Sequence, residues 1–134
     1  MIDISFEDTI ETPEVIELYK ANDWASADRP AELIKALRNS HSLVTARKNG
    51  KLVGLVNAIS DGYLVVYYPH MLIHPDYHGQ GIGRLIMKAM FVRYESFHQQ
   101  MLTAVVDAVG FYEKVGFERA GQTVPMWIYE GNDA

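Results

Sequence analysis

The segment His74-Pro75-Asp76-Tyr77-His78-Gly79-Gln80-Gly81-Ile82-Gly83-Arg84 joins two very different stretches. Before it runs the apolar Met71-Leu72-Ile73; after it comes an amphipathic run with Leu85, Ile86, Ala89 and Met90 on one face. Three glycines at alternate positions between a strand and a helix constrain the fold strongly. The strand has to be buried, the helix has to start at the glycines, and the main-chain N–H groups of the turn converge. Such a turn can hold a phosphate with those N–H groups and the positive end of the helix dipole. A phosphate-bearing ligand is therefore the first expectation.

Two familiar phosphate signatures do not fit. A Walker loop ends in Gly-Lys-Ser/Thr, whereas Gly83 is followed by Arg84-Leu85. A dinucleotide fingerprint needs Gly-x-Gly-x-x-Gly after the first strand of a Rossmann unit, and this loop lies in mid-chain after a hairpin.

The remaining elements read as follows. Ile2, Ile4 and Phe6 alternate with polar residues as a first strand. Thr12-Pro13 predicts a helix start, with Thr12 as cap and Pro13 at the first helical position, running to about Ala21. Asp28 to Asn39 reads as a second helix, with Leu33, Ile34 and Leu37 on one face. Leu43–Arg47 and Leu52–Val56 flank Asn49-Gly50, a strong hairpin signal. Tyr63 to Tyr68 and Met71 to Ile73 read as strand on either side of Pro69, which cannot donate to a ladder and marks an irregularity or an unpaired edge. Helix follows from about Gly81 to Tyr94, strand from Met101 to Val106, and a compact helix from Val109 to Val115, stopped by Gly116. A strand from Phe117 and a last strand, Val124 to Tyr129, are expected to pair antiparallel. The fold class is α/β: a mixed, mostly antiparallel central sheet flanked by helices, in one domain over residues 1–134.

A second block, Phe111-Tyr112-Glu113-Lys114-Val115-Gly116-Phe117, decides between phosphate ligands. Taken with Ile73-His74-Pro75 and the glycine loop, it resembles the GNAT superfamily of acyl-CoA N-acyltransferases. The resemblance covers roughly residues 43 to 129. The family loop, Gln/Arg-x-x-Gly-x-Gly/Ala, is matched from His78 onward, with histidine where the family prefers Gln or Arg. The resemblance implies the acyl-CoA N-acyltransferase fold and acetyl-CoA as co-substrate. The amides of Gly79, Gln80, Gly81, Ile82, Gly83 and Arg84, with His78 at the head of the loop, would hold the pyrophosphate. Leu72 and Ile73 would offer main-chain groups to the pantetheine arm along a splayed strand, and Phe111, Tyr112 and Lys114 would complete the cofactor site.

Acyl transfer from a thioester to an amine needs a neutral amine, a stabilised oxyanion and a protonated leaving thiolate. Tyr112 matches the family position of the acid at the coenzyme A sulfur. The N–H of Leu72 is the candidate oxyanion donor. His70 is the candidate general base, since neutral imidazole accepts a proton near neutrality; Asp107 is a second group that could position the amine. The resemblance implies an N-acetyltransferase, expected to act by direct attack in a ternary complex on a small-molecule primary amine. Alternatives are a protein lysine or N-terminal acetyltransferase, and a non-catalytic acyl-CoA-binding protein. Trp24, Tyr67 and Tyr68 would form an aromatic wall suited to an arylalkylamine; the formal charge of -5 would suit a polyamine or aminoglycoside.

Composition excludes several other classes. Cysteine is absent, which removes disulfides, thiolate metal sites and a cysteine nucleophile. The five histidines show no paired ligand spacing on a helix, so no metal site is expected. No basic patch points to nucleic acid and no run is long enough to cross a membrane. A cytoplasmic location and a homodimer, with Val124 to Tyr129 taking part, complete the expectations.

Overall fold

The computed structural model describes residues 1–7 and 9–131. Its strands are β1 (Ile2–Phe6), β2 (Ser42–Lys48), β3 (Lys51–Ser60), β4 (Val65–Tyr67), β5 (Met71–Ile73) and β6 (Gln99–Met101); its helices are α1 (Thr12–Ala21), α2 (Pro30–Arg38), α3 (Ile82–Arg93) and α4 (Val109–Lys114). The sheet order is β1-β2-β3-β4-β6, with β5 also on β3. Every pairing is antiparallel except β4 with β6. This is the mixed, mostly antiparallel sheet expected from the strand pattern.

Strand alternation sends side chains to two cores. Leu43, Leu55 and Leu72 meet Val15, Leu18, Leu33 and Leu37 of α1 and α2 on one face. Val44, Val53, Val56 and Val66 meet Ile82, Ile86 and Met90 of α3 on the other. The β2–β3 hairpin turns at Asn49 (φ 51°) and Gly50 (φ 82°), the pair of left-handed residues that a tight two-residue hairpin turn requires.

Several boundaries differ from the sequence reading. Glu11, not Thr12, caps α1: Glu11 and Glu14 form a capping box, leaving Thr12 as the first helical residue and Pro13 as the second. A carboxylate with its partner three residues on satisfies two terminal N–H groups, which a lone threonine cannot. Helix α2 begins at Pro30, and Asp28 belongs to a preceding 3₁₀ turn, Ala25–Asp28. The strand expected over Met101–Val106 is confined to Gln99–Met101, because beyond Met101 the chain leaves its partner. The strands expected from Phe117 and over Val124–Tyr129 do not form; residues 118–131 lie exposed, and among the described residues no strand covers the outer edge of β6. Pro125 removes one ladder donor from that stretch, and an isolated hairpin gains too little from pairing alone to hold in water.

Candidate active site

The site is built around a fault in the strand that follows the hairpin. Ile59 pairs with Tyr67 and Val56 with Met71, so three steps along β3 match four along its partner. One residue is extra, which is a β-bulge. The main-chain N–H and carbonyl groups switch sides there while the strand keeps its direction. Leu64 and Tyr68 face β6: the Leu64 carbonyl accepts from Gln99 N–H (3.1 Å) and Tyr68 N–H donates to the Met101 carbonyl (2.9 Å). His70 and His74 face β3 instead: the His70 carbonyl accepts from Asn57 N–H (3.1 Å) and His74 N–H donates to the Val53 carbonyl (2.8 Å). Side chains follow the same switch. Val66 and Tyr68 pack towards α3, as do Met71 and Ile73, while Leu72 falls in the α1–α2 core. Pro69, lacking an N–H, sits at the fault and costs no ladder bond.

This parity decides which main-chain groups reach the cleft. Leu72 lies between His70 and His74, so its N–H points at Leu55 in β3, its register partner. The expectation that Leu72 supplies the oxyanion donor is corrected: the N–H groups of Met71 and Ile73 face away from β3. They face a cavity of about 250 Å³ between β5 and the segment Thr103-Ala104-Val105, which has left the sheet. Trp24, Tyr68, Met71 and Tyr112 are among the residues that wall it.

The glycine loop closes one end. Gly79 and Gly81 have φ near +80° (78° and 79°), and nothing lies within 4 Å of where a Cβ would stand on either. Gly81 is the N-cap of α3 and no side chain caps it, so the first N–H groups of the helix, which lack intrahelical partners, lie beside this open space. Gly83 serves packing: a Cβ there would meet Phe111 Cζ at 3.1 Å, so its bareness lets α4 approach α3. His78 Nε2 lies 2.9 Å from the Ile73 carbonyl, tying the head of the loop to β5. His74 accepts from Asp76 N–H (3.1 Å) and caps the turn Pro75–Tyr77. Gln80, Arg84 and Lys114 are exposed around this end.

Tyr112 is buried between Phe111 and Phe117, with ring centroids 5.1 and 5.9 Å away, and borders the cavity. Burial pushes its phenol up to about 12, so it is protonated at any physiological pH. His70 is placed differently from expectation. Its Nδ1 is 2.8 Å from the hydroxyl of fully buried Tyr19, its ring stands edge-on to Trp24 at 5.2 Å, and it is not among the residues lining the cavity. Trp24 and Tyr68 line the cavity, but Tyr67 does not and is exposed. Asp107 lies exposed in the turn Val106–Ala108. Sequence reasoning overlooked Met71 and Tyr19. The one-residue register shift that exposes the Met71 N–H leaves no mark beyond Pro69, and Tyr19 reads as an ordinary core aromatic of α1.

A strand splayed from its neighbouring segment with outward N–H groups, a glycine turn at a helix start and a buried tyrosine between them match one known architecture. The family model described as acetyltransferase (GNAT) domain matches residues 12–126. The chain belongs to the GNAT acetyltransferase family. It is 31% identical over 121 residues to ycf52 of Pyropia yezoensis, an uncharacterized N-acetyltransferase, with 85% of this chain and 68% of that protein covered. The corresponding protein of Gracilaria tenuistipitata var. liui is 30% identical, with 65% of its length covered, so this chain spans about two thirds of these curated relatives. Among solved structures, a GNAT family acetyltransferase of Streptococcus pneumoniae TIGR4 superposes with a TM-score of 0.83 at 29% identity, covering 97% of this chain and 99% of that one. The GNAT fold implies acetyl-CoA as co-substrate, and the open glycine cradle and the outward N–H groups of β5 fit it. Among the described residues no cluster of histidine, aspartate or glutamate could hold a metal ion.

Proposed function

We propose that this GNAT chain transfers the acetyl group of acetyl-CoA to the primary amine of a hydrophobic small molecule of the arylalkyl kind, by direct attack within a ternary complex. The observation that carries the acceptor class is the cavity wall: Trp24, Tyr68, Met71 and Val105 line it beside the uncharged Asn22 and Thr103, and among the described residues no carboxylate does. A polyamine or aminoglycoside would leave its further ammonium groups unpaired against that wall, which is costly.

Each residue has a distinct task. The amides around Gly79 and Gly81 hold the pyrophosphate, and Ile73 pairs with the pantetheine arm. Met71 N–H donates to the thioester oxygen as negative charge develops on it. As the C–N bond forms and the C–S bond breaks, Tyr112 gives its phenolic proton to the sulfur, and the surplus proton on nitrogen leaves to water and restores the phenol. His70 holds Trp24 in place as part of the acceptor wall. The amine therefore enters as the free base.

We also infer a homodimer, supported by the exposed apolar side chains of Val124, Met126, Trp127 and Ile128 and by the groove along the open edge of β6, lined by Phe91, Gln100 and residues 115–118.

The test is calorimetric titration with acetyl-CoA beside a Gly81→Trp variant, followed by a thiol-release screen over aryl, polyamine and aminoglycoside amines. Micromolar binding lost in the variant, with turnover of arylalkylamines, is the expected result. Absence of acetyl-CoA binding by the folded chain overturns the acetyltransferase reading. Turnover confined to peptide lysines or N-termini overturns the acceptor.

A further inference from the structure

The bulge that turns β5 towards the cleft has a side chain at its centre. Asn57 is buried in β3 opposite the extra residue. Its own N–H donates to the His70 carbonyl at 3.1 Å, the bond expected of a regular antiparallel pair. The return bond is different: His70 N–H donates to the side-chain Oδ1 of Asn57 at 3.0 Å. The amide's other end is fixed too, with Nδ2 donating to Ser40 Oγ at 3.0 Å, and Ser40 Oγ donating in turn to the Ala36 carbonyl of α2 at 3.0 Å. On the far side of His70, Tyr19 of α1 holds the imidazole.

We propose that Asn57 is a positioning residue for acyl transfer: by accepting the His70 N–H with its side chain it latches the bulge, and the bulge aims the Met71 and Ile73 N–H groups into the cleft. A strand in regular register would carry even-numbered main-chain groups towards the cleft beyond Pro69, as it does towards β6 before it. The extra residue reverses that, and the reversal leaves a gap in the ladder at His70. A shorter or apolar side chain at 57 leaves the His70 N–H without that acceptor. Slipping one residue would restore a regular ladder bond there, and that slip swaps the cleft-facing and core-facing groups of the whole of β5. Ser40 sets which end of the amide faces His70, since a flipped amide would put its NH₂ against the His70 N–H.

The consequence for catalysis rests on the acetyltransferase reading; the latch itself does not, so the test has two separate arms. In the first, amide hydrogen exchange is followed on the full chain without ligand. Asn57→Leu is expected to speed exchange at His70 by about tenfold or more, the change that corresponds to losing one ordinary buried hydrogen bond. Asn57→Asp keeps the acceptor oxygen and is expected to preserve the protection of His70. In the second, calorimetry compares acetyl-CoA with ADP, which probes the pyrophosphate cradle alone. Asn57→Leu should weaken acetyl-CoA about tenfold or more and leave ADP unchanged, a split that general loss of stability would not produce. Unaltered His70 exchange in Asn57→Leu, or equal loss of both ligands, overturns the latch. If Asn57→Leu does not fold, Ser40→Ala takes its place. Faster exchange at His70 in that variant supports the latch, and unchanged exchange overturns it. A wild-type chain that binds ADP but not acetyl-CoA fails the functional reading and leaves the exchange arm standing.

Discussion

Tyr112 shows how surroundings set the chemistry of one side chain. Eight tyrosines occur in the chain, and the sequence separates this one from the rest only through its neighbours. Its burial beside Phe111 and Phe117 pushes its phenol up to about 12, so it stays protonated throughout the physiological range, as the proposed acid must. Tyr112→Phe should lower kcat by about 10²–10⁴-fold, the usual worth of a positioned acid, with acetyl-CoA affinity preserved in calorimetry. The pH profile has a definite sign. The rate should rise with pH as the amine loses its proton, with no falling limb from Tyr112 until the pH nears 12. His70→Gln should cost less in kcat than Tyr112→Phe and more in KM for the amine, because His70 touches Trp24 rather than the cavity; initial-rate kinetics separate the two. Gly83→Val should displace Phe111, and Tyr112 with it, lowering stability by about 1–3 kcal/mol in denaturant titration, the common penalty of overpacking.

At the scale of elements, the sheet is tied to α1 by Arg47 of β2. Its guanidinium donates to both oxygens of Glu14 at 2.8 Å and to Glu7 Oε1 at 3.0 Å, with these side chains only a fifth to a quarter exposed. The Arg47 hydrogen bonds hold the Glu14 carboxyl below its ordinary 4.5. Folding therefore favours the ionised form. The stabilisation is complete above the unfolded value and fades as pH falls through the lower folded one. Urea titrations should show wild-type stability declining below about pH 4.5, and Arg47→Met should remove about 1.5–3 kcal/mol at pH 7 while flattening that decline. Hairpin, glycine loop and helices α1 to α4 were legible in the sequence, because their signals are local: Asn49-Gly50, the alternate glycines and the apolar stripes. The cap of α1 was misread because two acids can do together what a threonine does alone. The apolar run beyond Met101 looked like strand, yet Leu102 packs on the core and Ala104 and Val105 line the cleft without a ladder.

At the scale of the molecule, the open edge of β6 and the exposed stretch from Val124 to Tyr129 are unfinished business of one sheet. Trp127 stacks on Tyr129 at 4.5 Å and is still 70% exposed. Sedimentation equilibrium should find the full chain dimeric and a chain ending at Gly121 monomeric, with the acetyl-CoA site retained in both. A full chain that stays monomeric at high concentration would remove the dimer from the functional reading. The class of fold, the family and the candidate glycine turn and tyrosine, Tyr112, were readable from the chain alone, since each rests on residue types at short, fixed spacings. Only the tertiary structure decided which main-chain N–H groups face the cleft, that His70 backs the wall instead of lining the cavity, and that Asn57 holds the fault in the strand. Those outcomes depend on register across strands distant in sequence, where a single inserted residue exchanges the two faces without altering any local pattern.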